Sequence, residues 1–188
     1  MNNFSFKHPK TGETLWYSRS VAVVGIFSFI EEKTSSLFLL AVKRGNDGQD
    51  EAGKWSLPCG YLDFNETVEE AITREVDEET GIKTDSNKWE LARIDSNPSS
   101  NRQNVSLLFT YSPSSYNAFR GEYNEINSKD DPRLTRTKFP ENEGKEIEKV
   151  EWIEIPLILM GHEFDYDYSN IDNREWAFNH DDLIKTFS

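Results

Sequence analysis

The chain has 188 residues, among them 34 acidic and 21 basic side chains, which give a net charge of −13. This length suffices for one domain with a sizeable core. The negative charge disfavours a protein that coats DNA, RNA or an anionic membrane surface. The single cysteine, Cys59, excludes an internal disulfide and a zinc site built from cysteines.

No apolar run in the sequence is long enough to cross a bilayer. The N-terminal residues lack the charged and then apolar layout of a secretion signal. The sequence therefore predicts a single soluble, cytoplasmic domain over residues 1–188.

The first half of the chain predicts two strands, a loop and a helix. Residues 20–30 and 37–43 are rich in β-branched and aromatic side chains, which is typical of buried strands. Residues 44–54 are rich in glycine and aspartate and predict a loop. Residues 67–80 predict a helix that ends at Gly81.

The second half adds strands and a closing helix. Residues 88–94, 105–111 and 150–155 predict strands. Residues 112–145 show little periodicity and predict a long surface insertion, and residues 174–187 predict a C-terminal helix. Strands with interspersed helices indicate a mixed α/β domain.

The predicted helix carries acidic side chains in an unusual place. At about 100° per residue, Glu75 and Glu79 fall within the apolar stripe and Glu78 falls at its edge. The apolar side chains that define this stripe are Val68, Ala71, Ile72 and Val76. Unpaired buried charge is costly, and the C-terminal end of a helix disfavours negative charge.

A cation would offset this cost. Arg74 lies about 100° around the helix from Glu75, and we do not expect it to neutralise three acids. A hard divalent cation such as Mg²⁺ suits carboxylate ligands and phosphate-bearing substrates. The alternative is a solvated acidic helix face whose internal repulsion is tolerated.

The stretch GYLDFNETVEEAITREVDEETGI, residues 60–82, resembles the signature of the Nudix hydrolase family, G-x5-E-x7-R-E-U-x-E-E-x-G-U with U aliphatic. Every defined position matches. The resemblance implies a Nudix-type α/β/α sandwich with a mixed sheet. It also implies hydrolysis of a nucleoside diphosphate linked to another group, with Mg²⁺ or Mn²⁺ as cofactor.

The resemblance also implies roles for individual residues. Glu75, Glu78 and Glu79 would be metal ligands, one of them serving instead as the base, and the backbone carbonyl of Cys59 would be a further ligand. Arg74 would orient a glutamate, and the residues that support the motif would be Gly60, Glu66 and Gly81. A later glutamate often joins the ligands or acts as the base. Glu146 is our choice for it, against a solvated acidic loop.

The chemistry of the substrate agrees with these roles. Diphosphate cleavage needs charge neutralisation more than covalent help. We expect attack by a water whose pKa a metal lowers, with a carboxylate accepting its proton. Arginines outside the signature are candidates for substrate binding, against a merely solubilising role: Arg44, Arg102, Arg133 and Arg136.

Three functions remain in competition. The first is the diphosphate hydrolase acting on ADP-ribose, a nucleotide sugar or a related dinucleotide. The others are an RNA 5′-end pyrophosphohydrolase and a non-catalytic, nucleotide-sensing Nudix-fold module. The expected partner is a nucleotide-type small molecule, with neither DNA nor membrane, and a homodimer is left open. His8, His162 and His180 lack ligand spacing and are interpreted as surface or terminal residues.

Overall fold

The computed structural model describes residues 3–31, 34–46, 50–99, 103–111, 146–161 and 163–187. The predicted insertion over residues 112–145 lies outside these ranges, as do Arg102, Arg133, Arg136 and His162. Within the described ranges, no helix has the length and apolar character needed to span a membrane.

The elements follow one another in a β-rich order. The strands are β1 (Phe4–Lys7), β2 (Thr14–Tyr17), β3 (Ser20–Ile30), β4 (Leu37–Arg44), β5 (Trp55–Ser56), β6 (Cys59–Tyr61), β7 (Glu90–Asp95), β8 (Asn104–Tyr111), β9 (Ile147–Ile155), β10 (Leu157–Met160) and β11 (Glu163–Tyr166). The helices of the described ranges are α1 (Val68–Thr80), α2 (Ser169–Asp172) and α3 (His180–Phe187), with a 3₁₀ turn at Ser86–Lys88.

Strand β3 organises a seven-stranded mixed sheet. It pairs in parallel with β8 along one edge and antiparallel with β6 and then β4 along the other. Strand β4 also pairs antiparallel with β5 and β9, and β7 pairs antiparallel with β8. Because successive side chains point to opposite faces, the long apolar run of β3 serves two cores.

Helices cover both faces of this sheet. On one face, Ala71, Ile72 and Val76 of α1 are fully buried in a core that includes Val23 and Phe27 of β3. The opposite face is covered by α2 and α3, whose buried residues Ile171 and Ile184 join a second core. This α/β/α sandwich with a mixed sheet confirms the predicted fold class.

Three regions differ from the sequence-based expectation. The helix predicted over residues 174–187 begins only at His180, because Phe178 and Asn179 both have φ of 57° and cannot continue a right-handed helix. Two hairpins, β1–β2 and β10–β11, form separate small sheets that the sequence analysis did not predict.

Candidate active site at the end of helix α1

Helix α1 is defined by strong signals at both ends. Thr67 and Glu70 form a capping box, in which each side chain accepts a hydrogen bond from the other residue's backbone N–H. Gly81 ends the helix in the left-handed conformation, with φ of 71°. The helix is thereby fixed in register, which sets the direction of every signature side chain.

The acidic side chains of α1 are buried to very different extents. Glu79 is 5% exposed, whereas the side chains of Glu75 and Glu78 are 13% and 52% exposed. This order agrees with the positions predicted around the helix axis, where Glu75 and Glu79 fall within the apolar stripe and Glu78 falls at its edge. Glu79 is therefore buried and Glu75 half-buried, whereas Glu78 is exposed.

Arg74 joins the helix to the loop that precedes it. Its Nε and Nη2 atoms donate to the two carboxylate oxygens of Glu66 at 3.0 and 2.8 Å, and Nη2 also donates to the carbonyl of Tyr61 at 3.0 Å. Glu66 in turn accepts from the backbone N–H of Asp63 at 2.9 Å. This two-pronged ion pair fixes the loop against the helix.

Arg74 also contacts two of the three acids at the end of the signature. Its Nη1 atom donates to Glu75 at 2.7 Å and to Glu78 at 3.0 Å. The long side chain of Arg74 reaches along the helix to Glu75, although the two residues lie about 100° apart around its axis. Glu79 is held differently, by the backbone N–H of Cys59 at 3.1 Å.

Gly60 makes room for the Glu75 carboxylate. A Cβ atom built at Gly60 would overlap all three atoms of that carboxylate group. A side chain at this position would therefore expel Glu75 from its place. Glycine is required here by the close approach of strand β6 and the helix.

Burial and neighbouring charges shift the pKa values of Glu75 and Glu79. Loss of solvent raises the pKa of Glu75, although Arg74 opposes the change. Burial, followed by the charge of Glu75, raises the pKa of Glu79 well above its usual range. The charge of Glu146 raises both pKa values further, so this predicted residue lies near the pair.

Arg44 is close enough to the acidic cluster for its charge to act on Glu79. The backbone N–H of Gly45 donates to the carbonyl of Glu146 at 2.7 Å, which ties the end of β4 to the start of β9. The charge of Arg44 acts on Glu79 and lowers its pKa, against the effect of burial. The Arg44 guanidinium carbon lies 5.1 Å from the centre of the Phe178 ring.

The donor set suits a hard divalent cation in its chemistry. Glu75, Glu79 and Glu146 supply carboxylate oxygens. The Glu75 carboxylate occupies the space that a side chain at residue 60 would fill. In the described ranges, no three acidic, histidine or cysteine side chains are already grouped as a complete metal site. Glu75 is instead hydrogen-bonded to Arg74.

The structure thus brings together most of the predicted site. Glu75, Glu78 and Glu79 lie on one helix with Arg74, and Glu66, Gly60, Cys59, Glu146 and Arg44 surround them. Arg102, Arg133 and Arg136 lie outside the described residues.

His180 corrects one expectation about the histidines. It is 3% exposed rather than at the surface, and its Nδ1 accepts the backbone N–H of Leu57 at 3.0 Å. Burial lowers its pKa to about 3, so the ring is neutral. The sequence gives no signal for this role, because the partner is a backbone group more than a hundred residues away.

Comparison with known proteins places the chain in a family. The sequence matches the NUDIX domain over residues 19–170. The protein belongs to the Nudix family, as the signature indicated. It is 41% identical over 68 residues to an ADP-ribose pyrophosphatase of Methanocaldococcus jannaschii, a match that covers 36% of each chain. The chain spans less than half the length of the curated relatives it matches.

Solved structures share the fold at low sequence identity. The NUDIX domain of Shewanella oneidensis NrtR, solved with ADP ribose, has a TM-score of 0.59 and 18% identity, covering 90% of this chain and 86% of that one. A bifunctional NMN adenylyltransferase/ADP ribose pyrophosphatase of Francisella tularensis, solved with AMP and a Mn ion, has a TM-score of 0.57 and 20% identity. That match covers 89% of this chain and 40% of the other.

Proposed function

We propose that this protein is a Mg²⁺- or Mn²⁺-dependent pyrophosphohydrolase that cleaves the diphosphate linkage of a nucleoside diphosphate joined to another group. The observation that carries the proposal is the pair of carboxylates of half-buried Glu75 and buried Glu79, held on α1 with Glu146 nearby. Burial of carboxylates destabilises the folded protein, so acids in such positions are typical of catalytic or binding sites.

The substrate class rests on the relatives. One curated relative is an ADP-ribose pyrophosphatase, and one solved NUDIX domain holds ADP ribose. ADP-ribose contains the expected linkage, a nucleoside diphosphate joined to a second sugar. We therefore place ADP-ribose first among the substrates to be tested.

Each residue has a task in this proposal. Glu75, Glu79 and Glu146, with Glu78 at the rim, would hold the cation, and the carbonyl of Cys59 would complete its ligands. When bound, the cation would neutralise phosphate charge and lower the pKa of the attacking water. One carboxylate would accept the proton, while Arg74 orients Glu75 through the 2.7 Å hydrogen bond and Arg44 attracts the diphosphate.

Two other functions make different predictions. An RNA 5′-end pyrophosphohydrolase would have to overcome the net charge of −13, which repels a polyanion. A nucleotide-sensing module would bind its ligand without turnover. The complete set of signature acids favours catalysis over sensing, since a sensor has no need of all of them.

The test is hydrolysis of a substrate panel. The protein would be incubated with Mg²⁺ or Mn²⁺ and with ADP-ribose, NADH, diadenosine polyphosphates, nucleotide sugars, nucleoside triphosphates and 5′-triphosphorylated RNA, and the products separated by chromatography. We expect turnover of ADP-ribose or a related compound, abolished by chelation of the metal. Hydrolysis of the RNA alone would support the second function instead.

A matched pair of variants assigns the activity to the site. Glu79→Gln removes the buried charge at nearly constant volume, and we expect a loss of turnover of at least about 100-fold. Glu69→Gln makes the same change in the first turn of the same helix, away from the cluster, and should retain activity. Unchanged turnover in Glu79→Gln would contradict the proposal, and ligand binding with no turnover in the wild type would indicate a sensor.

A further inference from the structure

The chain segment over residues 175–180, which leads into α3, is attached to strand β5. The backbone of Trp55 donates a hydrogen bond to the carbonyl of the first residue of this segment and accepts another from the N–H of Ala177, each at 2.8 Å. The backbone N–H of Leu57 donates to Nδ1 of His180 at 3.0 Å. The segment is therefore fixed along β5 at both of its ends.

Between these fixed ends, the chain makes a turn that exposes a large aromatic ring. Phe178 and Asn179 both have φ of 57°, a conformation that is unfavourable for residues with a Cβ atom. Backbone strain of this kind concentrates at functional sites. Ala177 and His180 are buried, whereas Phe178 is 47% exposed. The strained turn therefore holds the Phe178 ring at the surface, next to a buried anchor.

The Phe178 ring contacts both a histidine and an arginine. Its centre lies 5.6 Å from the centre of the His180 ring and 5.1 Å from the guanidinium carbon of Arg44. A guanidinium at this distance is attracted to the face of an aromatic ring. The Nε atom of Arg44 also donates to the backbone carbonyl of Asp50 at 3.1 Å. The ring and this carbonyl together restrict the orientation of the guanidinium.

Arg44 lies close to two of the candidate metal ligands. The backbone N–H of the next residue, Gly45, donates to the carbonyl of Glu146 at 2.7 Å. The charge of Arg44 also acts on Glu79 and lowers the pKa of that carboxyl. A guanidinium is planar, so it binds phosphate oxygens well only in a suitable orientation. Contacts that fix the long side chain before the substrate binds reduce the entropy lost on binding.

We propose that Phe178 is a positioning residue that holds the Arg44 guanidinium in the orientation that binds the diphosphate of the substrate. The proposal rests on the function proposed above, because it assumes that the diphosphate lies at the acidic cluster. It gives the exposed ring and the strained turn a role in substrate binding, although both lie outside the signature.

The test is a double-mutant cycle on Phe178 and Arg44. Phe178→Leu removes the aromatic face and keeps an apolar side chain, Phe178→Tyr keeps the ring, and Arg44→Gln removes the charge. Phe164→Leu makes the first of these changes at an exposed phenylalanine of β11 and serves as the control. For the full chain with Mg²⁺, kcat and KM would be measured with ADP-ribose, and the Kd of ADP by calorimetry.

We expect Phe178→Leu to raise both the KM for ADP-ribose and the Kd for ADP by about two- to fivefold, with a smaller change in kcat. Phe178→Tyr and Phe164→Leu should behave as the wild type. When Arg44→Gln is already present, Phe178→Leu should raise neither constant further, because the ring acts through the guanidinium.

Three results would overturn the proposal. They are an unchanged Kd for ADP in Phe178→Leu, an equal effect of Phe178→Leu with and without the Arg44 guanidinium, and absence of ADP binding to the wild type. The second result would show that the ring acts on the substrate or the fold directly. ADP binding with the expected pattern but without hydrolysis of any panel member would refute the proposed activity and leave the positioning role supported.

Discussion

The buried histidine at the start of α3 gives the protein a specific sensitivity to acid. His180 is 3% exposed and stays neutral because burial lowers its pKa from 6.5 to about 3. Below pH 6.5 the unfolded chain binds a proton at this residue, whereas the folded chain does so only near pH 3. The contribution of His180 to the free energy of unfolding is therefore fully present above pH 6.5. This contribution decreases as the pH falls from 6.5 towards 3.

The magnitude follows from the two pKa values. Where the unfolded chain binds one proton more than the folded chain, the free energy of unfolding changes by about 1.4 kcal/mol per pH unit. Between pH 7 and pH 5, the unfolded histidine goes from mostly neutral to almost fully protonated while the folded one stays neutral. The contribution of His180 should fall by about 2 kcal/mol over this interval.

His180→Asn tests this reasoning, because an asparagine oxygen can still accept the hydrogen bond from Leu57 and does not titrate in this range. Urea unfolding of the wild type and the variant at pH 7 and pH 5 gives the four free energies. We expect the wild type to lose about 2 kcal/mol more than the variant. His8→Asn, which changes a histidine outside the core, serves as the control. Equal losses in the wild type and in His180→Asn would refute the reasoning.

Three further predictions concern single residues. Gly60→Ala should lower kcat/KM by about 100-fold, because the added methyl group displaces the Glu75 carboxylate; steady-state kinetics with saturating Mg²⁺ would detect this. Arg74→Lys should lower the free energy of unfolding by about 1–3 kcal/mol, since lysine cannot bind both oxygens of Glu66, and urea unfolding measures it. Ser35→Gly should raise the free energy of unfolding by roughly 0.5–1 kcal/mol, because Ser35 has φ of 57°. A decrease in that variant would show that the turn is not strained.

The elements predicted best are those whose signals are local. The strand over residues 20–30 is found at the predicted bounds, and α1 begins one residue later than predicted, after a cap visible in the sequence. Hairpin β1–β2 was missed, although the alternating residues FSFK before Gly12 and the apolar and aromatic residues of TLWY after it gave a signal for two strands. The late start of α3 was not predicted, because Phe178 carries no sequence mark of a left-handed conformation, although asparagine, as at Asn179, adopts it more readily than most residues.

The residues of the candidate site also differ in how far the sequence could predict their positions. One helix fixes the relative positions of Glu75, Glu78 and Glu79, so their grouping followed from periodicity alone. Glu146 and Arg44 were chosen separately, and the fold brings them together through the pairing of β4 with β9. Contacts across such distances in the sequence depend on which strands pair, and the local pattern of one strand does not identify its partner.

The two ways in which the acids of α1 are held suggest a division of roles. Arg74 binds Glu66, Glu75 and Glu78, so its charge stabilises the loop and part of the acidic cluster without any ligand. Glu79 accepts a neutral backbone N–H from Cys59 and is the most deeply buried of these acids. A charged residue placed against the local apolar pattern marks a site where function outweighs stability. A divalent cation bound as proposed would therefore gain most from Glu79, whereas Arg74 ties α1 to the preceding loop through Glu66.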